Sequence, residues 1–225
     1  MANVSITGIV KSVPKIKTTD SGFDIMTVLT TYAINTNREG KKSDANVFVE
    51  MFGKMGAEFA ETLVAGDVIE VSGIITDGLF RGSEPEWQPI IKAQEINRIG
   101  TMNEFPPNSS LMSTSATASG LVDRVYSNDN FTSIKIRCYT RETKSFPNSI
   151  EVVFRHDERM SPQDIVEGDL VRVVGEFNIN KYKSKRDDKW RNTAQIIPKS
   201  FVKYARSGMT GPSAGHHVND DDMPF

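Results

Sequence analysis

The stretch VAGDVIEVSG (Val64–Gly73) returns as VEGDLVRVVG (Val166–Gly175), at an offset of 102 residues. Each copy is a Gly-Asp turn followed by an alternating β-branched run that stops on a glycine, so each reads as a turn feeding a strand. Working outward, the same offset sets Phe52 over Phe154 and Phe80 over Tyr182. Towards the amino end, SITGIVKSV (Ser5–Val13) matches TASGLVDRV (Thr117–Val125) at an offset of 112, with Gly8 over Gly120. The ten residues by which the offsets differ fall between the first and third strands, where the first copy carries NTNREGKKSDAN (Asn35–Asn46). Loops absorb such insertions. The chain is therefore two copies of one unit.

Each copy reads as five strands. After a glycine-broken first strand come a second (Phe23–Ala33 and Phe131–Tyr139) and a third (Val47–Phe52 and Ile150–Arg155). The fourth strands are Val68–Ile75 and Leu170–Phe177, and the fifth are Trp87–Ile99 and Trp190–Val202. In the first copy KMGAEFAETLVAG puts Met55, Phe59 and Leu63 on one helical stripe that Gly66 stops. In the second copy Pro162 leaves room for only a turn of helix. Five strands with a helix between the third and fourth is the OB topology, so the expected fold is all-β. Two tandem five-stranded OB-fold barrels are expected at residues 1–100 and 117–205, with a short helix in the first. A Pro, Ser and Thr-rich segment at 101–116 reads as an extended linker, and the glycine-rich, polar residues 206–225 read as a disordered acidic tail.

Composition bounds the function classes. With 38% hydrophobic and 25% charged residues the chain has the balance of a folded globular protein. No apolar run approaches membrane length and no secretory signal opens the chain, so a cytoplasmic protein without a membrane partner is expected. The lone cysteine, Cys138, sits in the alternating run IKIRCYT and reads as a buried apolar residue rather than a nucleophile. The net charge of -2 is unevenly spread: residues 1–116 carry -4, residues 117–205 carry +4 and residues 206–225 carry -2. A polyanion responds to local charge, which marks the second copy as the candidate for holding nucleic acid.

The segment NKYKSKRDDKWR (Asn180–Arg191), between the fourth and fifth strands of the second copy, interleaves rings with cations. Tyr182 and Trp190 offer flat faces for bases, while Lys181, Lys183, Lys185, Arg186, Lys189 and Arg191 offer charge for phosphates. In SIKIRCYT, alternation sets Lys135, Arg137 and Tyr139 on one face as a backbone track, opposite Ile134, Ile136 and Cys138. In VFVEMF, Phe52 shares parity with Glu50 and so faces the more polar side. Phe80 and Phe154 join it as stacking candidates, with Lys54 and Arg81 as adjoining cations. At the carboxyl end, Asp220, Asp221 and Asp222 precede Met223, Pro224 and Phe225. Such a tip offers acids for steering and a ring with a terminal carboxylate for capture by a basic-rimmed apolar pocket.

Three of these pieces resemble the bacterial single-stranded DNA-binding protein family: NVSITGIV, the block MFGKMGAEFAETLVAGDVIEVSGII (Met51–Ile75), and the terminus DDDMPF. The resemblance implies a non-enzymatic, cofactor-free protein that coats single-stranded DNA in replication, recombination and repair. It also implies that the tip recruits replication and repair proteins. It carries Phe52 and Phe80 over as DNA-stacking positions, whereas two further stacking tryptophans of the family have no counterpart, their places falling near Asn37 and Asn46. The family assembles four barrels, so two per chain imply a homodimer, with a monomer as the alternative. A two-barrel chain with this tail is consistent with a bacteriophage origin. Two rival readings stay open: an RNA-binding or recombination-mediating OB protein, and a metal-dependent nuclease using His216 and His217 beside the tail acids, which lie in a segment unable to hold ligands rigidly.

Overall fold

The structure, a computed structural model, describes residues 2–35, 42–81, 85–104, 113–138, 148–156, 162, 164–184 and 188–204. Among them the chain is β apart from one helix and short turns. Strands β1 (Ala2–Val10), β3 (Asp24–Asn35), β4 (Lys42–Phe52), β5 (Asp67–Arg81) and β6 (Pro85–Thr101) pair in the cycle β1-β5-β6-β4-β3-β1. That cycle closes a five-stranded barrel, in which only β4 and β6 run parallel. The short strand β2 (Lys15–Thr18) adds to β3 at the outer edge, where Lys15 and Lys17 keep the exposed rim charged. In the second part of the chain β7 (Thr114–Ser127), β8 (Phe131–Cys138), β9 (Asn148–Arg155), β10 (Leu170–Lys183) and β11 (Trp190–Lys203) pair in the same cyclic order.

Alternation explains both interiors. Val47, Val49 and Met51 on β4 point inward, as do Ile150, Val152 and Phe154 on β9. Each fourth strand carries a register shift at its glycine, between Ser72 and Gly73 and between Val174 and Gly175. A Cβ at Gly175 would run into the Ile197 carbonyl, and one at Gly73 into the Lys92 carbonyl, so both bends demand glycine. The helix α1 (Gly53–Thr62) plugs the first barrel through Gly56, Phe59, Ala60 and Leu63. Met55, expected on that stripe, is 52% exposed instead. The packed face is set by Gly56, which approaches the Met51 carbonyl too closely for any side chain.

The halves meet edge to edge. β1 and β7 pair antiparallel, with Val4 opposite Ala116, Asn3 opposite Thr117 and Ser5 opposite Ser115. Val4 faces Gly73, and Ala116 faces Gly175, so the two residues that pair at the centre hold the same place in their own halves. The arrangement is that of a local twofold axis within one chain. Behind the strands Tyr32 stacks on Phe177 with ring centroids 5.7 Å apart, and one buried apolar cluster spans both halves. Burial pushes the Tyr32 phenol above its ordinary pKa.

Residues 114–116 belong to β7 rather than to a linker, because Thr114, Ser115 and Ala116 pair with Ile6, Ser5 and Val4. The ring-and-cation segment at 180–191 is mostly not a loop: β10 continues to Lys183 and β11 resumes at Trp190, with Lys183 and Trp190 paired in register. The tail at 206–225 lies outside the described residues.

Candidate nucleic-acid interface

The faces of β8, β9, β10 and β11 that turn away from the second interior form an open groove of about 1190 Å³. Every second residue of β10, Asn178, Asn180 and Tyr182, reaches into it, as strand alternation requires. β9 contributes Glu151, Val153 and Arg155 by the same rule, and β8 contributes Ser133 and Lys135. β11 supplies Arg191 through Gln195, and β7 closes one end with Arg124 and Tyr126.

Charge in the groove is net positive. Four cations, Arg124, Lys135, Arg155 and Arg191, face two carboxylates, Asp129 and Glu151. Glu151 is held on both oxygens: the Ser133 hydroxyl donates to one at 2.5 Å and the Gln195 amide to the other at 2.6 Å. His156 at the rim bonds the Asp129 carbonyl through Nδ1 at 3.2 Å. A carbonyl only accepts, so Nδ1 donates to it, and Nε2 lies 2.9 Å from the Thr132 hydroxyl.

Rings stand where bases could lie on them. Tyr182 is 42% exposed and sits directly across from Arg191 on the hairpin. Tyr126 is 56% exposed and leans on Phe131 at 5.8 Å, both rings lining the groove mouth. Trp190 is also exposed, pairs with Lys183 in register and has Lys181 Nζ 5.2 Å above its ring. Trp190 is not part of the groove lining.

The residues singled out in the sequence divide accordingly. Lys135, Tyr182 and Arg191 converge in the groove, and Lys181, Lys183 and Trp190 flank it on the hairpin. Arg137 shares the face of Lys135 but is bridged to Asp123. Phe154 is a correction. It is fully buried, edge-on to Phe201 at 5.3 Å, and presents nothing to a ligand. The cause is register: Val49 pairs with Ile91 where Val152 pairs with Ile196, so Arg155, not Phe154, matches Phe52. A slip of one residue turns a strand side chain to the opposite face. The same register sets Trp87, opposite Leu79, against Asn192, opposite Lys181, so the two tryptophans are not counterparts.

On the first half Phe52 is 46% exposed, with Lys92 Nζ 5.4 Å above its ring. Lys54 projects into solvent beside Glu58. Burial lifts the Glu50 carboxyl above its usual pKa, against the opposing pull of Lys92 and Lys17. Phe80 and Arg81 end β5, with side chains outside the described ones, and Tyr139, Lys185, Arg186 and the tip Asp220–Phe225 lie outside the described residues. Arg124, Tyr126, Phe131, Arg155 and His156 also line the groove, beyond the residues the sequence marks. For Arg155 the alternation of EVVFR towards a strand-end cation is the available signal.

No helix among the described residues is long and apolar enough to cross a membrane, and no group of metal-ligating side chains occurs among them. No family model matches the chain. No curated protein matches it either. Among solved structures the chain is similar to the crystal structure of wild-type single-stranded DNA binding protein from Thermus aquaticus. The TM-score is 0.65 at 14% identity, over 96% of this chain and 97% of that one. A deletion mutant of the same Thermus aquaticus protein gives a TM-score of 0.65 at 13% identity, over 94% of this chain and 98% of that one. At such identity the likeness is one of fold.

Proposed function

We propose that the chain is a two-OB-fold, single-stranded DNA-binding protein that coats exposed strands without sequence preference during replication, recombination and repair. One observation carries the reading: a groove of net positive lining in which Tyr182 stands exposed beside Arg191. Cations along a groove neutralise the backbone, and an exposed ring takes any base, because every base has a π-face. The fold shared with a single-stranded DNA binding protein supports the same conclusion. The chemistry is binding rather than turnover, and no cofactor enters it.

The acidic tip Asp220–Phe225 is the proposed dock for replication and repair proteins, its acids steering the encounter and Phe225 filling a pocket on the partner. Two barrels per chain point to a homodimer with four. Fluorescence polarisation with labelled dT, rU and duplex oligonucleotides tests the central reading. Tight binding of dT, weaker binding of duplex and a log affinity that falls with log salt by about 0.7 per phosphate contacted are expected. Binding duplex as tightly as single strands, or an rU affinity well above that for dT, contradicts it. Mass measurement in solution decides the dimer.

A further inference from the structure

Because both halves pair in one cyclic order, register assigns the groove cations of the second half counterparts in the first. Lys135 stands across from Glu151 on β9, and Leu29 stands across from Phe48 on β4. Arg155 faces Phe131, and Phe52 faces Ile25. Arg191 faces Tyr182, and Glu86 faces Phe80. Three of the four groove cations are thus replaced by a leucine, a phenylalanine and an acid. Only Arg124 retains a basic counterpart, Lys11, whose amide donates to the Leu29 carbonyl at 2.8 Å. The hairpins diverge more sharply still: residues 77–87 sum to -2, whereas residues 180–191 sum to +4. The first half does gain Lys92 at the place of Ile197, but Lys92 pairs in register with Glu50 and lies over the Phe52 ring. Its charge already faces a carboxylate.

We propose that the two halves hold one single strand by unlike means: the second by neutralising phosphates in its groove, the first by stacking bases on Phe52 with little phosphate contact. This rests on the single-strand reading above. Neutralised phosphates release counterions and so appear in the salt slope, at about 0.7 per contact for a single strand. Stacking on a ring adds affinity at every salt concentration and leaves the slope alone. The division is therefore visible in how affinity responds to salt, not merely in its size.

The test is the slope of log affinity against log salt, for the full chain on a dT oligonucleotide long enough to span both halves. The triple variant Lys135→Gln, Arg155→Gln, Arg191→Gln should flatten the slope by about 2. The first-half pair Lys11→Gln, Lys92→Gln should leave the slope unchanged, and Phe52→Ala should weaken binding roughly 5- to 150-fold with the slope intact. A first-half pair that flattens the slope by about 1.4 overturns the proposal, as does a Phe52→Ala chain that binds like the parent. Leu29→Lys, which puts a cation at the counterpart of Lys135, supplies an independent arm should the triple variant fold poorly. It should steepen the slope by about 0.7, and an unchanged slope counts against a strand lying on the first half. If the parent chain fails to bind dT at all, it is the single-strand reading that fails.

Discussion

At Tyr182 and Phe154, two strand aromatics have opposite fates, and strand parity decides which is which. Tyr182 is free to accept a base, so Tyr182→Ala should weaken single-strand binding by about 1–3 kcal/mol while Tyr182→Phe largely preserves it, as read by fluorescence titration. Phe154→Ala should instead cost about 3–5 kcal/mol of folding stability in urea unfolding, since it empties space in the packed apolar core. Glu50 makes a prediction in pH. Burial dominates its shift, so its folded pKa lies above the unfolded value. An acid shifted that way stabilises the fold while protonated and loses that contribution as pH rises through the folded pKa. Glu50→Gln should match the parent in acid and exceed it in stability at neutral pH, measured as urea midpoints across that range. A variant less stable than the parent at neutral pH would show that the pairing with Lys92 and Lys17 outweighs burial.

Among the elements, the fourth strand and its hairpin do most to build the groove, and the bend at Gly175 aims them. Gly175→Ala should lower stability by about 1–3 kcal/mol, because the new methyl meets the Ile197 carbonyl and the ladder must shift. An unaltered melting temperature would mean the bend yields more readily than the packing suggests. Much of this element was legible in the sequence. The repeated Gly-Asp turn and its alternating run announce the strand, and the interleaving of rings with cations over Asn180–Arg191 marks Tyr182 and Arg191 among the candidates. The strand's length was not legible, because beyond Phe177 the apolar alternation gives way to Asn, Lys and Tyr, which read as loop although they continue the ladder. The facing of β9 is hidden in the repeat for a related reason: the offset at the fourth strand is one residue short at the third, and one residue is enough to exchange Phe154 for Arg155. Arg124 and Tyr126 escaped because they reach the groove from β7, through a register shift between Val122 and Arg124 that no periodicity reports.

Across the whole molecule, the central pairing of β1 with β7 makes the chain an internal pseudo-dimer. Tyr32 and Phe177 clasp the two halves beneath that seam, and the apolar cluster runs through it without a break. The halves should therefore unfold together: calorimetry is expected to give one transition, and Phe177→Ala to lower it by about 3–5 kcal/mol without splitting it. Two separated transitions would show the halves to be independent. Near-symmetry of backbone combined with asymmetry of charge is what the sequence announced only as a difference in block totals; the register turns it into paired positions. A crystal structure of the chain with a dT oligonucleotide is the most direct measurement of all. Phosphates beside Arg124, Arg155 and Arg191 with a base lying on Tyr182 are the predicted result, and a strand bound elsewhere with that groove empty would contradict it.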